Sequence, residues 1–208
     1  VSVLNTLDGH TSGSINANSI NTLSGTAADL ISAYAANGSG ISGLGNEAIN
    51  VNSGTASTAQ ANSLAADTSG VVTATISDGD MATLAGLTET SNAYAVTITD
   101  TRVNADELNT LNSKTTVNID CGNITQIVGA ISDIATAYTS GGFTGLGDEE
   151  IIFTFANIQA DLLNAIDAAN SRVINASGVA SLTGSASDLN TAYASSGVSG
   201  LGNEPVTL

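Results

Sequence analysis

Three copies of one short phrase constrain this chain more than any other feature. Gly43-Leu44-Gly45-Asn46-Glu47 returns as Gly145-Leu146-Gly147-Asp148-Glu149 and again as Gly200-Leu201-Gly202-Asn203-Glu204, each time ahead of residues that read as a strand. A glycine-punctuated phrase that recurs this closely is a structural joint. It points to a repeat architecture, in which one supersecondary unit buries its apolar face only by stacking on its neighbours.

A second phrase sets the register: Leu4-Asn5-Thr6-Leu7, Ala61-Asn62-Ser63-Leu64, Leu108-Asn109-Thr110-Leu111 and Leu163-Asn164-Ala165-Ile166. The steps between copies are 57, 47 and 55 positions, so four units of about 52 residues, approximately 1–52, 53–100, 101–155 and 156–208, account for the chain. Each unit reads as strand, helix, strand, helix. The first strand alternates apolar with polar residues, as in Ile49 and Val51 against Asn50 and Asn52, or Val96 and Ile98 against Thr97 and Thr99. A third copy is the more apolar Ile151 to Phe155. The first helix carries the second phrase, with Asn104 and Glu107 spaced as a capping box.

The second strand is expected over Ser14–Asn18, Val71–Ile76, Val117–Cys121 and Val173–Ser177. The second helix opens at Thr26 or Ser185, each with an aspartate three residues on, and runs to Tyr34, Tyr138 or Tyr193. Gly38, Gly141 and Gly197 then supply left-handed helix stops. The two halves of a unit resemble each other, which makes one strand plus one helix of about 26 residues the elementary piece. Unit two lacks the glycine joint between Met81 and Tyr94, so a shortened helix and a local dent are expected there. The chain opens inside a first helix and closes on a first strand, which predicts exposed apolar faces at both ends and an excised piece of a longer array.

Alternating strands and helices joined by short connections predict an α/β fold with parallel pairing and right-handed crossovers. The expected form is a right-handed αβ-solenoid, a single domain of about four repeats, with helices on the apolar side of one continuous sheet or of two stacked sheets.

Nineteen Asp and Glu against three Lys and Arg give a formal net charge of -16. That removes nucleic acid as a partner and disfavours an anionic membrane, since both are bound through clustered cations. No apolar run approaches the length of a spanning helix. The single Cys121 excludes an internal disulfide framework and aligns with Ala17 and Ala176 on the covered strand face, the position of a buried, inert thiol.

Stacked repeats align like residues. Asn16, Asp120 and Asn175 share a position in the second strand, and the joints bring Glu47, Asp148, Glu149 and Glu204 into rows that offer oxygens to Ca²⁺. The alternative is local: Asn and Asp in turns bond their own backbone. Ser77-Asp78-Gly79-Asp80 and Gly145–Glu150 fit neither known calcium-loop spacing. His10 lacks the partner motif of a hydrolase triad. Tyr34, Tyr138 and Tyr193 are expected to anchor their helices with the hydroxyl at the rim. No catalytic residue emerges.

The string Val173–Leu208, VINASGVASLTGSASDLNTAYASSGVSGLGNEPVTL, with its partners ending GLGDE and GLGNEA, resembles the tandem repeats of very large secreted or cell-surface proteins of marine cyanobacteria, often labelled hemolysin-type. The resemblance spans units one, three and four and is weaker in unit two. It implies a structural or adhesive role outside the cell, without catalytic residues. A stiff extracellular spacer, adhesin or surface-layer element is the function expected. Its partners are neighbouring repeats, and surface glycans or other cell-surface proteins. The alternative is a module that holds glycan or Ca²⁺ on the polar sheet face or the acidic joints.

Overall fold

The computed structural model describes residues 1–208 as a mixed α/β protein in which every strand pairing is parallel. The helices are α1 Ser2–His10, α2 Ala27–Ala35, α3 Thr58–Asp67, α4 Met81–Leu84, α5 Ala105–Asn112, α6 Ile131–Thr139, α7 Ala160–Ala169 and α8 Ala186–Ala194. Between them run β1 Ile15–Asn16, β2 Thr22–Gly25, β3 Ile41–Ser42, β4 Ala48–Val51, β5 Val72–Thr75, β6 Ala93–Ala95, β7 Arg102–Asn104 and β8 Ile119–Asp120. The remaining strands are β9 Gln126–Gly129, β10 Phe143–Thr144, β11 Glu150–Phe153, β12 Asn157–Gln159, β13 Ile174–Asn175, β14 Ser181–Thr183, β15 Val198–Ser199 and β16 Val206–Thr207. Two compact units result: Val1–Thr97 with Ser113–Val117, and Ile98–Asn112 with Asn118–Leu208.

All eight expected helices are present, and α4 is the shortened one. The strands match expectation in part: β1, β5, β8 and β13 lie within the four expected second strands, and β4, β11 and β16 on expected first strands. The alternating Val96–Thr99 lies beyond the end of β6, and the other strands are additional. Most helices are followed by two strand positions, a two-residue one and then a longer one that runs into the next helix. Two-residue strands such as Ile41–Ser42 are too short to show alternation, and Thr22–Gly25 or Ser181–Thr183 lie so close to an N-cap that they read as helix openings. The strands therefore form neither one continuous sheet nor two stacked ones. The first unit holds sheets β1-β3 and β2-β4-β5-β6, and the second holds β10-β8, β11-β9-β7, β12-β14-β16 and β13-β15.

Phe143 pairs with Ile119, Ser181 with Asn157 and Val198 with Ile174, and the side-chain bonds between successive turns of chain span the same 24 residues. The second phrase owes its asparagine to this spacing. Asn5, Asn109 and Asn164 each donate from Nδ2 to the carbonyl of Asp29, Asp133 or Asp188 in the first turn of the next helix, at 2.8, 2.9 and 2.9 Å. Asn62 reaches the Gly86 carbonyl at 2.7 Å, just past the stunted α4.

Local sequence explains the helix ends. The Thr26 and Ser185 hydroxyls accept from the N–H groups of Asp29 and Asp188, as the capping spacing predicts. Ser57 with Gln60 forms a full capping box on α3. Asn104 and Glu107 instead bond side chain to side chain at 3.1 Å, so they are not a box. Gly38 and Gly141 take positive φ of 92° and 71° after their helices, whereas α8 stops in an extended Ser195 and Gly197 is not left-handed. Helices of eight to ten residues are marginal alone and depend on the aliphatic rows beneath them. Those rows are Leu30, Ile41, Ile49 and Leu64 in the first unit and Leu108, Ile119, Ile127, Ile134 and Ile158 in the second. No helix is long and apolar enough to cross a membrane.

Candidate functional site

The glycine joint is where the chain concentrates its distinctive chemistry. In the first copy Gly43 and Gly45 take φ of 87° and 137°, conformations that side chains resist. The reversal folds the Glu47 carboxylate back onto its own turn. There it accepts from Gly45 N–H at 3.1 and 3.0 Å and from Asn46 N–H at 3.2 Å. The Tyr34 hydroxyl, arriving from the end of α2, donates to the same carboxylate. The second copy repeats this: Gly147 N–H reaches the Glu149 oxygens at 3.2 and 2.9 Å, Asp148 N–H lies at 3.1 Å and the Tyr138 hydroxyl at 2.5 Å. The third uses Gly202 N–H at 2.9 Å, Asn203 N–H at 3.1 Å and the Tyr193 hydroxyl against Glu204.

The first glycine of each joint has a second duty. A Cβ on Gly43, Gly145 or Gly200 would lie 3.0, 2.7 or 2.6 Å from the backbone nitrogen of Asn18, Gly122 or Ser177 in the preceding turn of chain. Those nitrogens are themselves held by Asn16, Asp120 and Asn175, whose side-chain oxygens accept from them at 3.0, 3.1 and 3.0 Å. The strand neighbours of Asn16, Asp120 and Asn175 are Ser42, Thr144 and Ser199, so these positions do not build a ladder of carboxylates. They make turns.

Two expectations are corrected here. Glu47 and Glu149 do not stand in an open row of carboxylates; they are fully buried, with only Glu204 partly open. The Tyr34 and Tyr138 hydroxyls do not sit free at a rim but close onto Glu47 and Glu149, while the exposed Tyr193 makes the same bond to Glu204 at the surface. Burial pushes the Glu47 carboxyl up, yet the Tyr34 hydroxyl and the turn N–H groups outweigh it and hold it below the ordinary glutamate range. Burial, reinforced by Glu47, pushes Tyr34 above the usual phenol range. Asp148 projects to solvent and contributes its backbone N–H. No three His, Cys, Asp or Glu side chains come together as a metal-holding group. A cation at Glu47 or Glu149 would have to displace donors already seated on the carboxylate.

Comparison with protein-family models, curated proteins and solved structures finds no match.

The other sequence candidates fall into structural duties. Asp78 accepts from Thr58 N–H at 2.7 Å and so caps α3, while Asp80 caps α4 through Thr83 N–H at 2.9 Å. Cys121 is fully buried, as are Ala17 and Ala176 at the equivalent positions of their repeats, and burial pushes its thiol up to about 12. His10 is the exposed last residue of α1 rather than a loop residue. Asn50 stands exposed in a polar row with Ser24 and Thr73, and Thr97 is exposed after β6.

Sequence reasoning missed one feature. A groove of about 340 Å³ in the second unit runs between Glu150–Ala156 and Asn175–Val179, with Phe155 largely exposed beside Phe153, Asn175 and Ser177. Its signal in the sequence is the apolar run Ile151 to Phe155, which reads wholly as a strand. The strand ends at Phe153, and the extra residues before β12 carry Phe155 outward.

The copy without a joint shows what the joint replaces. Asn92 occupies the glutamate position ahead of β6: its Oδ1 accepts from Val72 N–H and its carbonyl from Thr116 N–H, both at 2.9 Å. Ser91 is the one non-glycine residue with positive φ, at 68°. Tyr94, standing where other copies have Ile49 or Ile151, is fully buried against α3, its hydroxyl 3.5 Å from the Ala61 carbonyl, and fills the space left by the stunted α4.

Proposed function

We propose that this chain is a non-enzymatic structural repeat segment, an αβ-solenoid of right-handed turns within a very large extracellular or cell-surface protein, serving as a stiff spacer or an adhesin-like surface element. One observation carries the reading. The residues with chemical potential, the joint glutamates, the tyrosines, the turn asparagines and the cap aspartates, are consumed in bonds that fasten one turn of chain to itself or to the next. Parallel pairing of each turn with the next supports it, at a 24-residue spacing in the second unit and 20 to 26 residues in the first, because such an array grows by addition of like turns. The acidic, lysine-poor composition keeps a long array soluble. The resemblance of Val173–Leu208 to giant surface proteins supports the setting.

Small-angle scattering on the chain and on a head-to-tail genetic fusion of two copies tests this. A spacer keeps its cross-section and about doubles its longest dimension; a fusion that thickens instead rules it out.

The exposed Phe155 in its groove favours a second reading, recognition of surface glycans by an aromatic platform with Asn175 and Ser177 beside it. Loss of binding on a glycan array in Phe155→Ala supports that reading, and an array with no binder removes it. Ca²⁺ at the acidic joints is tested separately, by a melting shift with millimolar Ca²⁺ and not Mg²⁺.

A further inference from the structure

Three stretches of the chain carry the Asn-x-Ser/Thr triplet at which an asparagine accepts a sugar: Asn37-Gly38-Ser39, Asn123-Ile124-Thr125 and Asn175-Ala176-Ser177. The fold separates them. Asn37 spends both ends of its amide on Leu44, Nδ2 donating to the carbonyl at 3.1 Å and Oδ1 accepting from the N–H at 3.4 Å. Asn123 donates its Nδ2 to the Ile98 carbonyl at 2.9 Å. Asn175 is exposed and engages only Oδ1, which accepts from Ser177 N–H at 3.0 Å, so its Nδ2 is left to solvent. The equivalent Asn16 and Asp120 make the same turn bond to Asn18 and Gly122, so the turn itself does not require a serine at its end.

A second observation meets the first at the same place. Asn175 and Ser177 stand on one wall of the groove of about 340 Å³, and Phe155, 67% exposed, stands on the other. With Ile152 beside it, also exposed, this is apolar surface that the chain itself leaves uncovered. The C–H face of a pyranose ring covers such a surface and keeps its hydroxyls in water. Glu150 is the charged side chain lining the groove, and the chain around it is strongly acidic, which selects a neutral sugar over a uronic acid.

We propose that Asn175 is an N-glycosylation site and that its first sugar, a neutral hexose or N-acetylhexosamine, folds back over Phe155. In the transfer, C1 of the sugar bonds to Asn175 Nδ2 as the C1–O bond to a nucleotide or polyisoprenoid diphosphate breaks. The diphosphate leaves with the electron pair, and the Nδ2 proton passes to a carboxylate of the transferase. The inference deepens the glycan reading of this groove and rests on the extracellular setting proposed above: the sugar is one the chain carries rather than one it captures.

Peptide mapping by mass spectrometry of the protein purified from the cells that make it tests the attachment. The peptide spanning Asn175 carries the added mass of the sugar, and those spanning Asn37 and Asn123 are bare. Ser177→Ala, made in the same cells, keeps the wild-type circular dichroism and carries no sugar. The wild type melts about 2–4 °C above Ser177→Ala, and the gap closes when both also carry Phe155→Ala. A bare Asn175, sugar on Asn37 or Asn123, or a gap that persists without Phe155 overturns the proposal. A bare Asn175 in a protein that still binds on the glycan array overturns the attachment alone, and the capture reading then stands.

Discussion

The corner at Gly43–Glu47 and the corner at Gly200–Glu204 make the same internal hydrogen bonds in opposite surroundings. Glu47 and Tyr34 are buried under the loop that follows α3, while Glu204 is partly open and Tyr193 exposed. Covering is therefore not what shapes the corner. Two glycines with positive φ and one glutamate that reaches back to its own N–H groups build it from five consecutive residues, and the neighbour only seals it. The copy ahead of β6 agrees from the other side. There Asn92 supplies the acceptor and Ser91 the positive φ, so the chain turns without the phrase, at the cost of a strained serine.

The covered and uncovered faces should differ most where apolar volume is removed. Leu64→Ala empties a fully buried position and is expected to cost about 4 kcal/mol, whereas Leu7→Ala, at the same place in its repeat but half exposed, costs less than about 0.5 kcal/mol. Urea titration followed by circular dichroism reads both. Equal losses would mean that the face of α1 is covered in the isolated chain, and the comparison would fail.

Backbone comes next. Gly145→Ala meets two penalties, a φ of 81° and a Cβ 2.7 Å from Gly122 N, and the contact is with backbone that has nowhere to go. About 3 kcal/mol is expected. Gly202→Ala meets only the φ of 140°, with nothing within 4 Å, and should cost about 1 kcal/mol. Similar losses at both sites would show that close approach to the preceding turn does not matter.

The carboxylates come third. Glu47→Gln keeps the volume but loses the charge that three donors point at, and about 2 kcal/mol is expected. Glu204→Gln, with water to replace the lost bonds, should stay below about 1 kcal/mol. Denaturant midpoints of the two variants measure the gap directly.

Much of this was legible in the sequence, and the boundary between what was and was not is physical. Helices declared themselves through caps and spacing: Thr26 with Asp29, Ser185 with Asp188, and Leu108 with Leu111 are local signals that act within one turn. The two-residue strands β3, β10 and β15 are invisible in the sequence because pairing such as Ile41 with Ile15 depends on chain 26 positions away and two residues cannot display a period, whereas their partners β1, β8 and β13 lie within segments that read as strands. The joint was found as a phrase, but the inward turn of its glutamate was not. A glutamate ahead of a strand reads as a solvated rim, and only the geometry of Gly45 and the distant Tyr34 hydroxyl turns it inside. The asparagine of the second phrase likewise marked a register without revealing that its target is the Asp29 carbonyl in the next helix. Phe155 was absorbed into a strand because apolar runs do not announce where they leave the sheet.

The smallest effect at neutral pH is also the one that probes both members of the corner together. The Glu47 carboxyl is held below its ordinary 4.5, so it binds fewer protons folded than unfolded near that value. Its contribution is present above pH 4.5 and is lost as pH falls through the folded value. Tyr34 runs the other way: raised above 10.0, it keeps its proton when folded, so its contribution is present below pH 10.0 and is lost as pH rises beyond it. Stability should therefore be level between these limits and decline on both sides, with Glu47→Gln flattening the acid limb and Tyr34→Phe the alkaline one. Tyr193, pushed up to about 12 chiefly by its bond to Glu204, follows the same direction, but solvent screens it and Tyr193→Phe should barely move either limb. Ultraviolet titration gives the decisive reading. The folded chain should show almost no tyrosinate at pH 10.0, where a free phenol is half ionised, and then gain it together with loss of circular dichroism. A half-developed tyrosinate band with the fold intact would mean that the hydroxyls are not seated on the glutamates, and the buried and open corners would then share nothing beyond their sequence.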